Sequence, residues 1–288
     1  MAVSELHAHV FMDGADYKKC VERNKKAPDE AHIRRVFSSY KERGITFIRE
    51  GGDHFGVCQR AKHLAPEFGI TYIMPAFSIF KAGNYGRVAG KPYSNIREYK
   101  ELVYEAKTCG ADFIKLMLSG IVDFNNFGVV SESEYSLSEI KELVHIARSE
   151  GFSVMAHVSG TENIVRAAEG GIDSLEHGYY INNEGIAAIK ESGCIWVPTA
   201  VTGANLKGTG RFDEDAVLRI SDKHKENIRL GYEAGANIGC GSDAGAFGVL
   251  HGEGALQEYE LLCSVMGADG PLRLKEAEDI IREKFQRR

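Results

Sequence analysis

The sequence predicts an α/β fold, a (β/α)8 TIM barrel, and three observations lead there. Short apolar runs alternate with amphipathic helical patterns along the chain. The runs and helices together give the strand count of that barrel. Polar residues able to bind a metal stand at the ends of the first, fourth, fifth, sixth and last runs, and only a closed sheet brings the first and last strands together. An open doubly wound sheet would hold His7 and Asp243 far apart.

Taken in order, the first strand surrounds Leu6, His7, Ala8 and His9. A helix then follows from Asp29 as N-cap, from Ile33, Val36, Phe37 and Tyr40 at helical spacing, and from Gly44 as the stop. Residues 45–48 and 70–74 are the second and third strands, and residues 113–118 the fourth. Ser136 and Glu139 form a capping box ahead of a helix that buries Ile140, Leu143, Val144 and Ala147 and ends at Gly151. Residues 152–156, 173–175, 194–197 and 236–240 complete the strands. Two connections, 78–94 and 121–135, are longer than usual and are expected to be substrate lids at the mouth. With no repeat, low-complexity tract or linker, residues 1–288 are expected to form a single domain.

Composition excludes several function classes. Lys+Arg total 35 against 41 Asp+Glu, a formal charge of −6, so there is no basic footprint for nucleic acid and a small-molecule substrate is the expected partner. No apolar stretch approaches a membrane span and no signal pattern opens the chain, so no membrane association is expected. Six scattered cysteines without a C-x-x-C pair favour reduced thiols and a cytoplasmic setting. Homo-oligomerisation is left open by the sequence.

The chemistry lies in six residues. On a strand, His7 and His9 point to the same face and can hold one ion between them. Lys115 sits within an apolar strand, sharing a face with Phe113 and Met117, where an unpaired ammonium is costly. Two readings account for it. Either a buried carboxylate pairs with it, or desolvation lowers its pKa and the neutral amine takes up carbon dioxide, giving an anionic carbamate that bridges two cations. His157 and His177 each end a strand, where a lone histidine is usually structural; together with the His-X-His pair they make a metal site the better reading. Asp243, in the run Gly239 to Gly245, either caps a turn or serves as ligand and proton shuttle.

His7-X-His9, Lys115, His157, His177 and Asp243, in that order, resemble the amidohydrolase superfamily of metal-dependent hydrolases. The runs 44–52, 111–115, 175–178 and 241–245, with His251, Gly252 and Glu258, are similar to its imidazolonepropionase-like and prolidase-like branch. The resemblance extends over nearly the whole chain. It implies that His7 and His9 bind the more buried metal and His157 and His177 the more exposed one, with N6-carboxylated Lys115 bridging and Asp243 completing the first site. Imidazolonepropionase members lack the bridging lysine and use one metal, so Lys115 aligns this chain with two-metal, dipeptidase-like members. Two divalent ions follow as cofactors, zinc being the expected metal, although manganese and cobalt accept the same donors. The chain departs from the pattern in carrying Glu50 where an aspartate is usual, and the barrel is expected without the accessory β-sandwich of many relatives.

The expected reaction is hydrolysis of a C–N bond in a small amide, dipeptide-like or cyclic amide substrate, with the cations lowering the pKa of a bridging water and Asp243 moving its proton. A lactonase or phosphotriesterase-like activity on the same binuclear centre is the nearest alternative, and a metal- or ligand-binding barrel without catalysis is the third. For substrate contacts, Arg49 ends an apolar strand and is the first choice for an anion. Tyr85 and Arg87, with Lys81, stand in the presumed mouth loop, and His251 is expected to bind substrate, orient Asp243 or cap the helix near Gly252.

Overall fold

The computed structural model describes residues 3–131 and 134–286. Its strands are β1 (Glu5–Ala8), β2 (Phe47–Glu50), β3 (Thr71–Ile73), β4 (Ser78–Lys81), β5 (Gly90–Tyr93), β6 (Ile114–Met117), β7 (Val154–Val158), β8 (Ser174–His177), β9 (Ile195–Val197) and β10 (Asn237–Ile238). All the pairings between them are parallel. They form one sheet in the order β1-β2-β3 and another in the order β10-β9-β8-β7-β6-β4-β5. The chain itself joins the sheets where β3 runs on through Met74–Phe77 into β4. Backbone bonds join them again at the other side: Leu6 N–H donates to Cys240 O at 3.0 Å, Asp243 N–H to His7 O at 2.7 Å and His9 N–H to Ala244 O at 2.8 Å.

The period-two alternation of the strands separates two apolar layers. Ile114, Leu116, Val154, Ala156, Leu175 and Trp196 face outward into a large cluster with the surrounding helices. Leu6, Phe47, Ile73, Phe113, Met155, Ile195 and Val197 face inward, towards Ala277, Ile281 and Phe285 of the helix Gly270–Phe285. Leu6, Phe47, Phe113, Met155 and Ile195 lie in the first two positions of their strands or just before them, so that helix covers the end of the sheet opposite the candidate ligands. Burying one Phe285-sized side chain stabilises by about 1.5–3 kcal/mol, and Phe285 is fully buried.

The expected helices are present with their caps. Asp29 accepts from His32 N–H at the head of Glu30–Glu42, and Ser136 and Glu139 make the reciprocal capping box on Leu137–Ser149. The expected lid 78–94 requires correction, because it contains two strands. β4 pairs with β6, placing Ser78 beside Lys115, and with β5 on its other side. Pro75 and Ala76, the latter at φ 67°, interrupt the extended chain and conceal that continuation in the sequence. In the second long connection, Val122 and Val130 form an antiparallel bridge. Residues 132 and 133 of that connection lie outside the described residues. Among the described residues no helix is long and apolar enough to cross a membrane.

Candidate metal centre

Strand pairing brings the polar strand ends together: Met117 lies beside His157, and Val158 beside His177. The rings of His157 and His177 are 4.5 Å apart, those of His7 and His177 5.1 Å, and those of His7 and His9 5.4 Å. Asp243 Oδ1 stands 3.6 Å from Nε2 of both His7 and His9. Two donors bound to one zinc at about 2.0 Å in a tetrahedral arrangement lie roughly 3.3 Å apart, so this spacing suits a shared ion. Donor atoms of His7, His177 and Asp243 all fall within 4.8 Å of one another.

Each imidazole is fixed from behind. His7 Nδ1 bonds Glu176 Oε2 at 2.7 Å, His9 Nδ1 bonds Gly52 O at 3.2 Å, His157 Nε2 bonds Gly120 O at 3.0 Å and His177 Nδ1 bonds Thr199 Oγ1 at 2.8 Å. That outer bond leaves the second nitrogen of each ring available, the usual construction behind metal-ligating histidines. Burial, followed by the Lys115 charge, lowers His9 to about 3 and His157 to about 4. Burial also holds His7 and His177 well below the ordinary imidazole range. The four rings are therefore neutral donors at neutral pH.

Lys115 is buried, and its Nζ has no hydrogen-bond partner among the described residues. Burial lowers its pKa to about 8, opposed by the charges of Glu176, Asp243 and Glu50. The buried carboxylate that a structural ion pair needs does not bond it. His7 Nε2 is likewise buried without a partner. Two orphaned donor atoms beside a carboxylate that burial raises to about 7 are what a site shaped for cations presents when protein atoms alone are considered.

The backbone is strained where it aims these groups. His177, Thr199 and Asp243 have φ of 69°, 51° and 59°, a left-handed region costing roughly 1–3 kcal/mol for such residues. Gly51 has a different reason for its identity. A Cβ there would meet the His9 ring at 2.3 Å, so only glycine admits that imidazole.

Of the expected substrate contacts, Tyr85 is in place. It lines a cavity of about 410 Å³ that opens over the cluster, its ring 5.4 Å from His157. Arg49 must be corrected. It is fully buried and donates to Leu6 O at 2.7 Å, Ser174 Oγ at 3.0 Å and Glu176 Oε1 at 2.9 Å, so its charge is spent beneath the site. Arg87 is exposed and does not line the cavity, although its neighbours Gly86 and Val88 do. Lys81 is paired with Glu139 at 2.9 Å. His251 neither reaches the cavity nor orients Asp243. Its Nε2 bonds Met12 O at 2.9 Å and its Nδ1 lies 3.2 Å from the Tyr40 hydroxyl, while Gly252 takes the N-cap of the next helix.

Sequence reasoning missed the roles of Glu176 and Thr199. Glu176 bridges His7 to Arg49, and its signal was an acid alternating with Ser174 inside an apolar strand. Removing it leaves Arg49 charged, buried and unpaired. Glu176→Ala should therefore cost about 3–5 kcal/mol in urea unfolding, and Arg49→Leu in the same chain should restore much of that. A double variant as unstable as the two single losses added together would refute the pairing.

A family model described as the amidohydrolase family matches residues 5–277. The chain is similar to the ochratoxinase of Aspergillus niger, 27% identical over 194 residues, which cover 61% of this chain but 39% of that enzyme. The matched part is thus well under half the length of that relative. Among solved structures, a Xaa-Pro dipeptidase with bound methionine in its active site superposes with a TM-score of 0.80 at 20% identity, covering 98% of this chain and 75% of that one. The A. niger ochratoxinase structure gives 0.75 at 22% identity, covering 95% and 69%. A putative prolidase from Bifidobacterium longum gives 0.75 at 20%, covering 99% and 69%. At these identities the structural likeness speaks for the fold.

Proposed function

Because this chain belongs to the amidohydrolase family, a hydrolase family acting on C–N bonds, we propose that it is a metal-dependent hydrolase of small amides, dipeptide-like or cyclic amides included. In this reading the two sheets are one closed eight-stranded barrel in a single domain, with β3 and β4 the two halves of its third strand. His7, His9 and Asp243 would hold one divalent ion and His157 and His177 a second, with N6-carboxylated Lys115 as a further ligand. Bound there, such ions, zinc first among them, would lower the pKa of water and polarise a carbonyl.

The protein's own part follows from its burial and geometry. The cavity walls keep bulk water away from the amide and strengthen every charge interaction at the cluster. Asp243, raised by burial, takes a proton from the attacking water and returns it to the nitrogen as the C–N bond breaks, so that a carboxylic acid and an amine leave. Glu176 and Arg49 act through His7, fixing its tautomer and aim. Six unpaired cysteines, four of them buried, support a reducing, cytoplasmic setting.

The observation carrying this reading is the convergence of four neutral imidazoles, an unpaired buried lysine and a carboxylate on one cavity. Its test is metal analysis of protein purified without chelator, coupled to a hydrolysis screen of N-acyl amino acids, dipeptides, hydantoins and lactones. About two ions per chain with amide turnover that chelation abolishes is the expected result. Turnover of lactones alone would shift the reading to a lactonase. No turnover by fully metallated protein would leave a binding barrel.

A further inference from the structure

Among the described residues lining the cavity, Arg211 is the one charged side chain outside the cluster of histidines, Lys115 and Asp243. It is exposed, and its guanidinium lies over the Phe247 ring at 4.1 Å from the centroid and near Phe212 at 5.6 Å. Among the described residues no carboxylate pairs with it. The nearest acids in sequence are already engaged: Asp213 caps the helix Glu214–Ala234 through Ala216 N–H, and Glu214 accepts from Gly208 N–H. Asp213 N–H also bonds Asn125 at 3.1 Å, tying this turn to the 121–135 connection.

A guanidinium stacked on a ring has one face covered and its N–H edge free. That edge is a planar fork matching the two oxygens of a carboxylate, and stacking pre-pays the ordering of the side chain. The rest of the cavity wall is largely apolar and aromatic, with Tyr17, Phe124 and Leu206 among its lining beside Phe212 and Phe247. Lys81 and Arg87, the cations of the mouth loop, do not line this space. Resting on the amide hydrolase reading above, we propose that Arg211 is a specificity-determining residue that receives a free carboxylate of the substrate.

The test separates binding from turnover. The probe is the ketomethylene isostere of N-benzoyl-leucine, in which a methylene replaces the amide nitrogen so that nothing is cleaved, alongside its carboxamide. By titration calorimetry, wild-type metallated protein should bind the carboxylate about tenfold or more tightly than the carboxamide, as charge-assisted forked bonds suggest. Arg211→Gln should collapse that ratio towards one. Arg211→Lys should keep only a small part, since an ammonium lacks the fork. The site is exposed and needs no buried contact to fold, so the ratio in each variant is readable. Equal binding of both probes by wild type, or an undiminished ratio in Arg211→Gln, would overturn the proposal, and a full ratio in Arg211→Lys would overturn the forked geometry. If wild type discriminates between the probes but hydrolyses neither N-benzoyl-leucine nor any other amide, the amide hydrolase reading falls and the carboxylate site stands.

Discussion

Lys115→Ala is expected to lose both metal ions and to lower turnover by on the order of 10³-fold or more, since it removes several kcal/mol of transition-state stabilisation. The fold should survive. Lys115 contributes no hydrogen bond, and the inward layer of Leu6, Phe47, Phe113 and Met155 lies below it. Short carboxylic acids added to the variant should recover part of the activity by supplying two oxygens where the carbamate stood. Lys115→Arg should be as damaging, because a guanidinium stays charged and forms no carbamate. The decisive measurement is metal content beside kcat for both variants. Two ions and normal rates in Lys115→Arg would mean that the side chain serves as an ordinary buried cation.

Asp243→Asn should lower kcat by about 10²–10⁴-fold, the usual contribution of a positioned general base and acid. An amide keeps the shape and the backbone bond to His7 O but cannot carry the proton. The pH profile supplies the sharper reading. A base works only when ionised, so wild-type kcat should fall as pH drops through the Asp243 pKa, which burial raises to about 7 and bound cations pull downwards. The residual activity of Asp243→Asn should lack that acidic limb. An unchanged limb would assign it to another group and remove Asp243 from proton transfer.

The six metal-type residues were legible because period-two alternation and strand ends are sequence properties. His7 and His9 share a face by spacing alone, and Lys115 stands out among Phe113, Ile114, Leu116 and Met117. What those residues rest upon was not legible. Arg49 stands near the end of β2 much as His177 stands at the end of β8, and only the cross-sheet placement of Ser174 and Glu176 shows that it turns inward. That placement is a fact about tertiary pairing. The wall hidden in 78–94 was missed because Pro75 and Ala76 break the extended run, and four-residue strands carry little periodic signal. Arg211 was invisible for a related reason: its phenylalanine partners include Phe247, far away in sequence, and nothing local marks a stacked guanidinium.

The helix Gly270–Phe285 has a meaning for how the molecule is made. It supplies Ala277, Ile281 and Phe285 to the inward layer, while Leu6 and His7 wait for backbone partners at Cys240 and Asp243. During synthesis β1 would therefore find β2 along one edge early, while its other edge would stay unpaired until residues 240–244 had been made. Such late, long-range closure slows folding and lengthens exposure of apolar strand edges. A chain cut before residue 270 would keep the bonds at Cys240, Asp243 and Ala244 but lose the helix that covers Phe47, Phe113 and Met155, leaving that inward layer exposed.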